Sequence, residues 1–402
     1  MPHRWIAPHV YSAFDGHKFI MPKLPKDRPV KQGLRDSPRQ TVPKPDVPDD
    51  RDAQVELTAL SYVGSYNWVN SPDPTIVVPG SPRRWLDREL PFNVKADSGI
   101  VFVDQNAFRM KDTPLLPLIR AVELVSKLSE TSNPEGFGWP NVDFVTDRSN
   151  LRKILRWIDG SAGGRALRID AQLAGNGTIL LNRWERRTRE YGSGSYGFNL
   201  EKATTAPAQG CEGTTAHHRI VKYIFAGLLM IVRFEVDAFA PSAQPTAEDA
   251  DLLGAFKALT VAQAPGTVPA SSGSLNIRQG GSVVHQSSLI ELTSASKMNW
   301  QEKYPQLYLS QTAWMYKASH REGCFHDVKK TALGSQELAT VAEQSKLRFA
   351  RLGNALKTIK NIVVEAGPAG RLSFVLENKE LIVYERESQK SCLPADAMSL
   401  FS

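Results

Sequence analysis

The segment Leu228 to Phe239, LLMIVRFEVDAF, runs an apolar strand straight into Glu235-Val-Asp237, and Ser288 to Thr293, SLIELT, delivers Glu291 in a matching apolar setting. Side chains two apart on a strand share a face, so Glu235 and Asp237 point the same way. Two carboxylates held that close ionise together only when something positive lies between them. A divalent metal ion is the usual solution. Acid-apolar-acid triplets also decorate the solvated faces of edge strands, but a strand reading LLMIV is expected to be buried on both faces, and acids at its end then lie near a rim or a pocket.

The elements that must position these acids follow from pattern. Glu56 to Val69 and Thr75 to Pro79 read as strands separated by the break at Pro72-Asp-Pro74, with Pro79 to Trp85, PGSPRRW, as a rigid loop after them. Leu115 to Leu128 has helical spacing. Phe144 to Leu155 reads as a strand end followed by a helix start, with Arg148 at the junction and Ser149 or Asn150 as the cap. Ala166 to Trp184 is a hairpin turning at Asn176-Gly177, and Gly-rich Tyr191 to Gly197 is a connection among further strands. Val341, Ser345, Phe349, Leu352, Leu356 and Ile359 mark a core-facing helix, and RLSFVLENKELIVYER closes the chain's order as a second hairpin. Strands and helices alternate without a strict βαβ repeat. The expected class is therefore α/β of the α+β type, a mixed β-sheet core flanked by helices.

Nine of the 26 prolines fall in the first 50 residues, interleaved with Lys, Arg and Asp, so residues 1–54 read as a disordered, Pro-rich basic leader, with order beginning near Val55 and a single domain over 55–402. Residues 240–281, rich in Ala, Ser, Pro and Gly, read as an insertion holding one helix over 248–261. A formal charge of +7 suits a polyanionic partner. Three cysteines, Cys211, Cys324 and Cys392, make no disulfide framework and point to a reducing compartment. No run approaches the length of a membrane span, and the first residues lack a secretory apolar core, so the protein is expected inside the cell. His320, Cys324 and His326 lack the fourth ligand that a zinc site needs. His217-His218 read as a surface or nucleic-acid contact.

Taken in order, Arg148 at a helix start, Gly197-Phe-Asn-Leu-Glu201, Glu235-Val-Asp237, Glu291-Leu-Thr293 and Gln311 form a series that resembles the decapping exoribonuclease (DXO) family. That family carries an arginine motif, Gly-apolar-any-apolar-Glu, Glu-apolar-Asp, Glu-apolar-Lys and a downstream glutamine. The resemblance covers residues 147–311. It implies a nuclease-like fold with Glu201, Glu235, Asp237 and Glu291 holding one or two Mg²⁺ or Mn²⁺ ions, and Glu235, Asp237 and Glu291 at the centre of catalysis. It further implies that Arg148 and Gln311 contact the phosphates of an RNA 5′ end, with a 5′-3′ exoribonuclease as a fitting protein partner in nucleus or cytoplasm. Hard oxygen ligands suit such ions, and arginine offsets charge on phosphoryl oxygens.

The series departs from the family at Thr293, which stands where the family has lysine and offers neither its charge nor its reach. Lys297 lies on the same strand face, about 13 Å further along. The sequence thus supports two functional classes: a metal-dependent hydrolase of RNA 5′ ends, and a catalytically degenerate relative that binds RNA, a nucleotide or a protein. A third reading, acids as surface decoration, predicts no metal binding.

Overall fold

Leu228–Val236 lies in the middle of the larger of two mixed sheets in a computed structural model that describes residues 24–46, 55–128, 137–163, 167–192, 194–241, 267–268 and 275–402. Its even-numbered side chains, Met230, Val232 and Phe234, pack into one core with Phe349, Leu352 and Leu356 of the long Ala339–Ala366 helix. Its odd-numbered Ile231 packs into another with Ile119 and Val122 of Leu116–Leu128. A strand covered by helices on both sides must be apolar at every position, which is why the run shows no alternation. Polar residues enter only at its end.

The large sheet runs, edge to edge, through Leu34–Val42, Glu380–Arg386, Arg371–Glu377, Leu167–Ala174, Thr178–Arg183, Phe144–Asp147, Leu228–Val236, Thr214–Phe225, Leu57–Val69, Thr75–Pro79, Asn276–Gly280 and Thr267–Val268. Phe144–Asp147 is parallel to both of its neighbours, and most other pairs are antiparallel. The smaller sheet orders Thr205–Ala206, Arg83–Trp85, Ala238–Phe239, Leu289–Thr293, Trp314–Arg321, Cys324–Ala332 and Phe92–Asn93. Immediately after Val236 the chain leaves the first sheet and joins the second at Ala238, which pairs with Ile290. Glu235 and Asp237 straddle that crossing.

The mixed sheets with flanking helices match the expected class, and both hairpins and the three long helical segments fall where the pattern put them. Several expectations are corrected. Within the leader, Leu34–Val42 is an edge strand paired with Glu380–Arg386; only Leu34 and Val42 are buried. It is held by backbone pairing rather than by side-chain burial, a contribution that composition does not register, and Pro38 is tolerated because the strand is an edge. The rest of the leader, 1–23 and 47–54, lies outside the described residues, as does the helix expected over 248–261. The distal part of the expected insertion, Asn276–Gly280, is a strand of the large sheet, parallel to Thr75–Pro79. Arg83–Trp85 is a strand as well, not a loop. The Arg148–Ile158 helix takes Asp147 at its N-cap position, not Ser149 or Asn150, and the Asp147 carboxylate is turned to Arg233 rather than to the helix amides. Among the described residues no helix is long and apolar enough to cross a membrane.

Candidate active site

The crossing between the sheets forms the floor of a cleft of about 690 Å³, lined by Glu235, Asp237 and Glu291. Asp237 is fixed by its backbone surroundings: its Oδ2 accepts a 2.7 Å hydrogen bond from the Leu292 amide across the sheet. Glu291 stands on Leu289–Thr293, buried, with one carboxylate oxygen taken by Arg148 and the other by the amide of Gln306. Glu235 makes no hydrogen bond or ion pair among the described residues. Glu201 is the fourth acid. The GFNLE stretch opens a helix, Gly197–Thr204, and it sets Glu201 beneath the cleft, 3% exposed, with Oε1 lacking a hydrogen-bond partner among the described residues.

Electrostatics bind the four into one group. The Glu201 carboxyl is raised well above the usual carboxylate range, by burial first and then by the charges of Asp237 and Glu235. Asp237 is raised by burial and by Glu291. Glu235 is pushed up to about 8, chiefly by burial, with Arg183 pulling the other way and Glu291 adding to the rise. Such a set lacks positive charge at its centre. Among the described residues no three His, Cys, Asp or Glu side chains already close around one point. The donor set is nonetheless what a hard divalent cation requires, namely carboxylate oxygens only, one of them buried without a hydrogen bond.

The walls are cationic. Arg148, 9% exposed, packs over the Phe234 ring at 5.4 Å and donates to Ser310 Oγ at 3.0 Å as well as to Glu291. Arg152 and Lys303 also line the cleft, and neither forms a hydrogen bond or ion pair with its side chain among the described residues. Burial lowers both, Arg152 to about 10 with Arg148 and Arg156 contributing. Arg183 is held by Glu185 at 2.7 Å and by the Val103 carbonyl at 2.9 Å.

Behind the cleft, Arg233 pairs with both oxygens of Asp147 at 2.7 and 2.9 Å and donates to the Pro114 carbonyl and the Tyr66 hydroxyl. Tyr66 donates to Asn106 and stacks on His218 at 5.0 Å. His217 and His218 are buried and held neutral by desolvation and nearby arginines, which corrects the surface reading. This layer fixes Asp147 and hence the start of the Arg148 helix.

Of the residues singled out from sequence, Arg148, Glu201, Glu235, Asp237 and Glu291 come together here. Gln311 does not. It follows the Trp300–Tyr308 helix in a left-handed turn (φ 50°), and its amide donates to the Tyr308 carbonyl. Gln306, five residues earlier and inside that helix, bonds to Glu291. Thr293 is 1% exposed and its hydroxyl accepts from the Ala295 amide, while Lys297 lies exposed past the end of the strand. Lys303, from the Trp300–Tyr308 helix, is a cation that does line the cleft. Arg152 was one basic residue in an amphipathic helix, legible only as the partner of Arg148 at i+4; Lys303 and Gln306 carried no signal without the packing of their helix.

The fold is that of Rai1. The structure of Rai1 from S. pombe aligns with 85% of this chain and 97% of its own, at 13% identity and a TM-score of 0.53. Candida albicans Rai1, solved in complex with pU5 and Mn²⁺, aligns with 90% of this chain and 99% of its own, at 9% identity and 0.55. Scheffersomyces stipitis Rai1, solved with (3′-NADP)⁺ and a calcium ion, aligns with 91% and 94%, at 12% identity and 0.53. The resemblance read from the motifs is thus matched in the arrangement of 85–91% of the chain. No curated relative matches in sequence. A family profile described as a domain of unknown function, DUF8563, matches residues 46–401, and the chain belongs to that family.

Proposed function

We propose that this chain is a divalent-metal-dependent hydrolase of RNA 5′ ends, acting by decapping, NAD-decapping, pyrophosphohydrolysis or 5′-3′ exoribonucleolysis. The observation that carries the reading is a group of four carboxylates at and beneath the floor of a cleft, three of them, Glu201, Glu235 and Asp237, raised by burial and by their acidic neighbours, facing cations, Arg152 and Lys303, that have no side-chain partner among the described residues. The Rai1 structures with pU5 and Mn²⁺ and with (3′-NADP)⁺ and calcium support it by likeness of fold.

Glu201, Glu235, Asp237 and Glu291 would hold Mg²⁺ or Mn²⁺, which supplies an activated water and neutralises charge on a phosphoryl oxygen. The chain's own residues do the rest. Gln306 fixes the Glu291 carboxylate in one orientation, and the Leu292 amide does the same for Asp237. Arg148, clamped by Ser310 and packed on Phe234, keeps donors in reserve for a phosphate, since among the described residues only one of its terminal nitrogens is engaged. Lys303 offers charge to the same phosphate and Arg152 to the one that follows it, each relieving the cost of its own burial by binding an anion. Gln311, whose side-chain amide is spent on the Tyr308 carbonyl and which does not line the cleft, is given no role in this reading. The same reading puts the work inside the cell, in nucleus or cytoplasm, with a 5′-3′ exoribonuclease as a fitting protein partner.

The second reading, a binding module without turnover, is favoured by Thr293, whose buried hydroxyl is spent on the Ala295 amide. The test is a panel of short RNAs with monophosphate, triphosphate and NAD 5′ ends, incubated with Mn²⁺ or EDTA, comparing wild type with Glu235→Gln/Asp237→Asn. Metal-dependent 5′ products that vanish in the double variant establish the hydrolase. Tight binding without products from a folded protein establishes the module.

A further inference from the structure

Arg148, Arg152 and Arg156 follow one another at four-residue intervals on Arg148–Ile158, so they rise on one helix face and each step advances about 6 Å along the axis. That step is comparable to the separation of successive phosphates on an extended single strand. All three line the cleft that holds the carboxylates. Arg152 and Arg156 also line a second cavity of about 460 Å³, which continues to Asn299, Gln301 and Arg348. The two spaces therefore share an arginine wall.

Arg152, in the middle of the row, is flanked by two like charges and has no acid or carbonyl to bond among the described residues. A largely buried guanidinium in that position calls for an anion. Two acids face the second cavity and weigh against phosphate there. Asp159 is engaged by Arg348, with contacts of 2.5 and 3.1 Å. Glu302 meets Arg156 only at 4.0 Å and is half exposed, so most of Arg156's donors have no partner among the described residues. The wall keeps a positive balance.

We propose that the Arg148, Arg152 and Arg156 row is the track for a single RNA strand, with its 5′ end at the carboxylates, its next phosphates on Arg152 and Arg156, and its continuation through the second cavity toward Arg348. The inference rests on the reading of the cleft as an RNA 5′-end site and adds to it a length requirement: the substrate is a strand of at least three nucleotides, not a free nucleotide.

The test is competition of 5′-phosphorylated oligouridylates of one, two, three and five nucleotides against a labelled pentamer, by fluorescence anisotropy in EDTA. Affinity is expected to climb through three nucleotides and then level off. In Arg156→Gln the ratio of pentamer to mononucleotide affinity should fall by roughly three- to tenfold, and the salt dependence of pentamer binding should lose about 0.7 in slope, one phosphate contact. Arg156 is 29% exposed in its side chain, so this variant is expected to fold. A pentamer that binds no better than the mononucleotide overturns the track while leaving the 5′-end site standing. So does an Arg156→Gln variant that weakens both ligands equally. Failure of every ligand to bind overturns the track and the site together.

Discussion

Replacing Glu235 with glutamine should stabilise the metal-free protein at neutral pH while removing its response to metal. Glu235 has no partner among the described residues, and its carboxyl is pushed from 4.5 to about 8, first by burial. A carboxyl raised in this way binds its proton in the folded state and gives it up in the unfolded one. Its contribution to stability is thus full below about pH 4.5 and lost as pH climbs toward about 8. Each unit is worth about 1.4 kcal/mol, so at pH 7 the folded wild type carries a penalty of about 3 kcal/mol. Glu235 faces the cleft and keeps some contact with water, which reduces this to about 2 kcal/mol. Glutamine has nearly the same shape and no such titration. In EDTA, Glu235→Gln should melt about 3 °C above wild type at pH 7.5 and close to it at pH 5. Mn²⁺ at a hundred times its Kd should raise wild type by about 2.7 kcal/mol and the variant by much less. Differential scanning calorimetry across pH, with and without Mn²⁺, makes the measurement. A variant no more stable than wild type at pH 7.5, or a gap that does not shrink on acidification, would refute the account of an uncompensated carboxylate group.

Metal binding should release protons from the raised carboxyls, so the calorimetric heat of Mn²⁺ binding near pH 7 should vary with the ionisation enthalpy of the buffer; an identical heat in PIPES and Tris contradicts this. Gln306→Ala should weaken Mn²⁺ binding and cleavage because Glu291 loses the amide that orients it, whereas Gln311→Ala should leave both at wild-type levels, as read by titration and RNA cleavage side by side. Arg233→Met should lower stability by about 3 kcal/mol or more, since it strands the buried Asp147 carboxylate, and a urea melt reads the loss. Thr293→Lys should restore no rate and should lower the melting temperature, because its side chain is enclosed; Lys303→Ala should cost roughly tenfold in kcat/KM, the worth of one charge-assisted phosphate contact.

The acids were legible in the chain because their setting is local. An apolar strand ending in Glu-Val-Asp, and a second ending near Glu291, carry their meaning in spacing of two and in the hydrophobicity of the flanks. Arg148 was legible for a similar reason: a strand end running into a helix start puts one residue at the junction. The class of fold followed from the same periodicities. Glu201 was identified only by its order in the series, and its helix was not, since eight residues starting at a glycine show little pattern.

Tertiary structure decided how those pieces meet. That the strand changes sheets at Val236, so that Glu235 and Asp237 open onto a cleft rather than onto solvent, depends on Ala238 pairing with Ile290 some fifty residues away. That Gln306 reaches Glu291 depends on how the Trp300–Tyr308 helix packs, and Gln311, the glutamine that the resemblance singled out as a phosphate contact, lies five residues on, past the end of that helix. The same helix brings Lys303 to the cleft wall. The leader strand exists because Glu380–Arg386 leaves an edge to be paired. Local pattern reports what a segment must bury, and it located the carboxylates. The cations that balance them are long side chains arriving from separate elements, and only packing determines where their heads end.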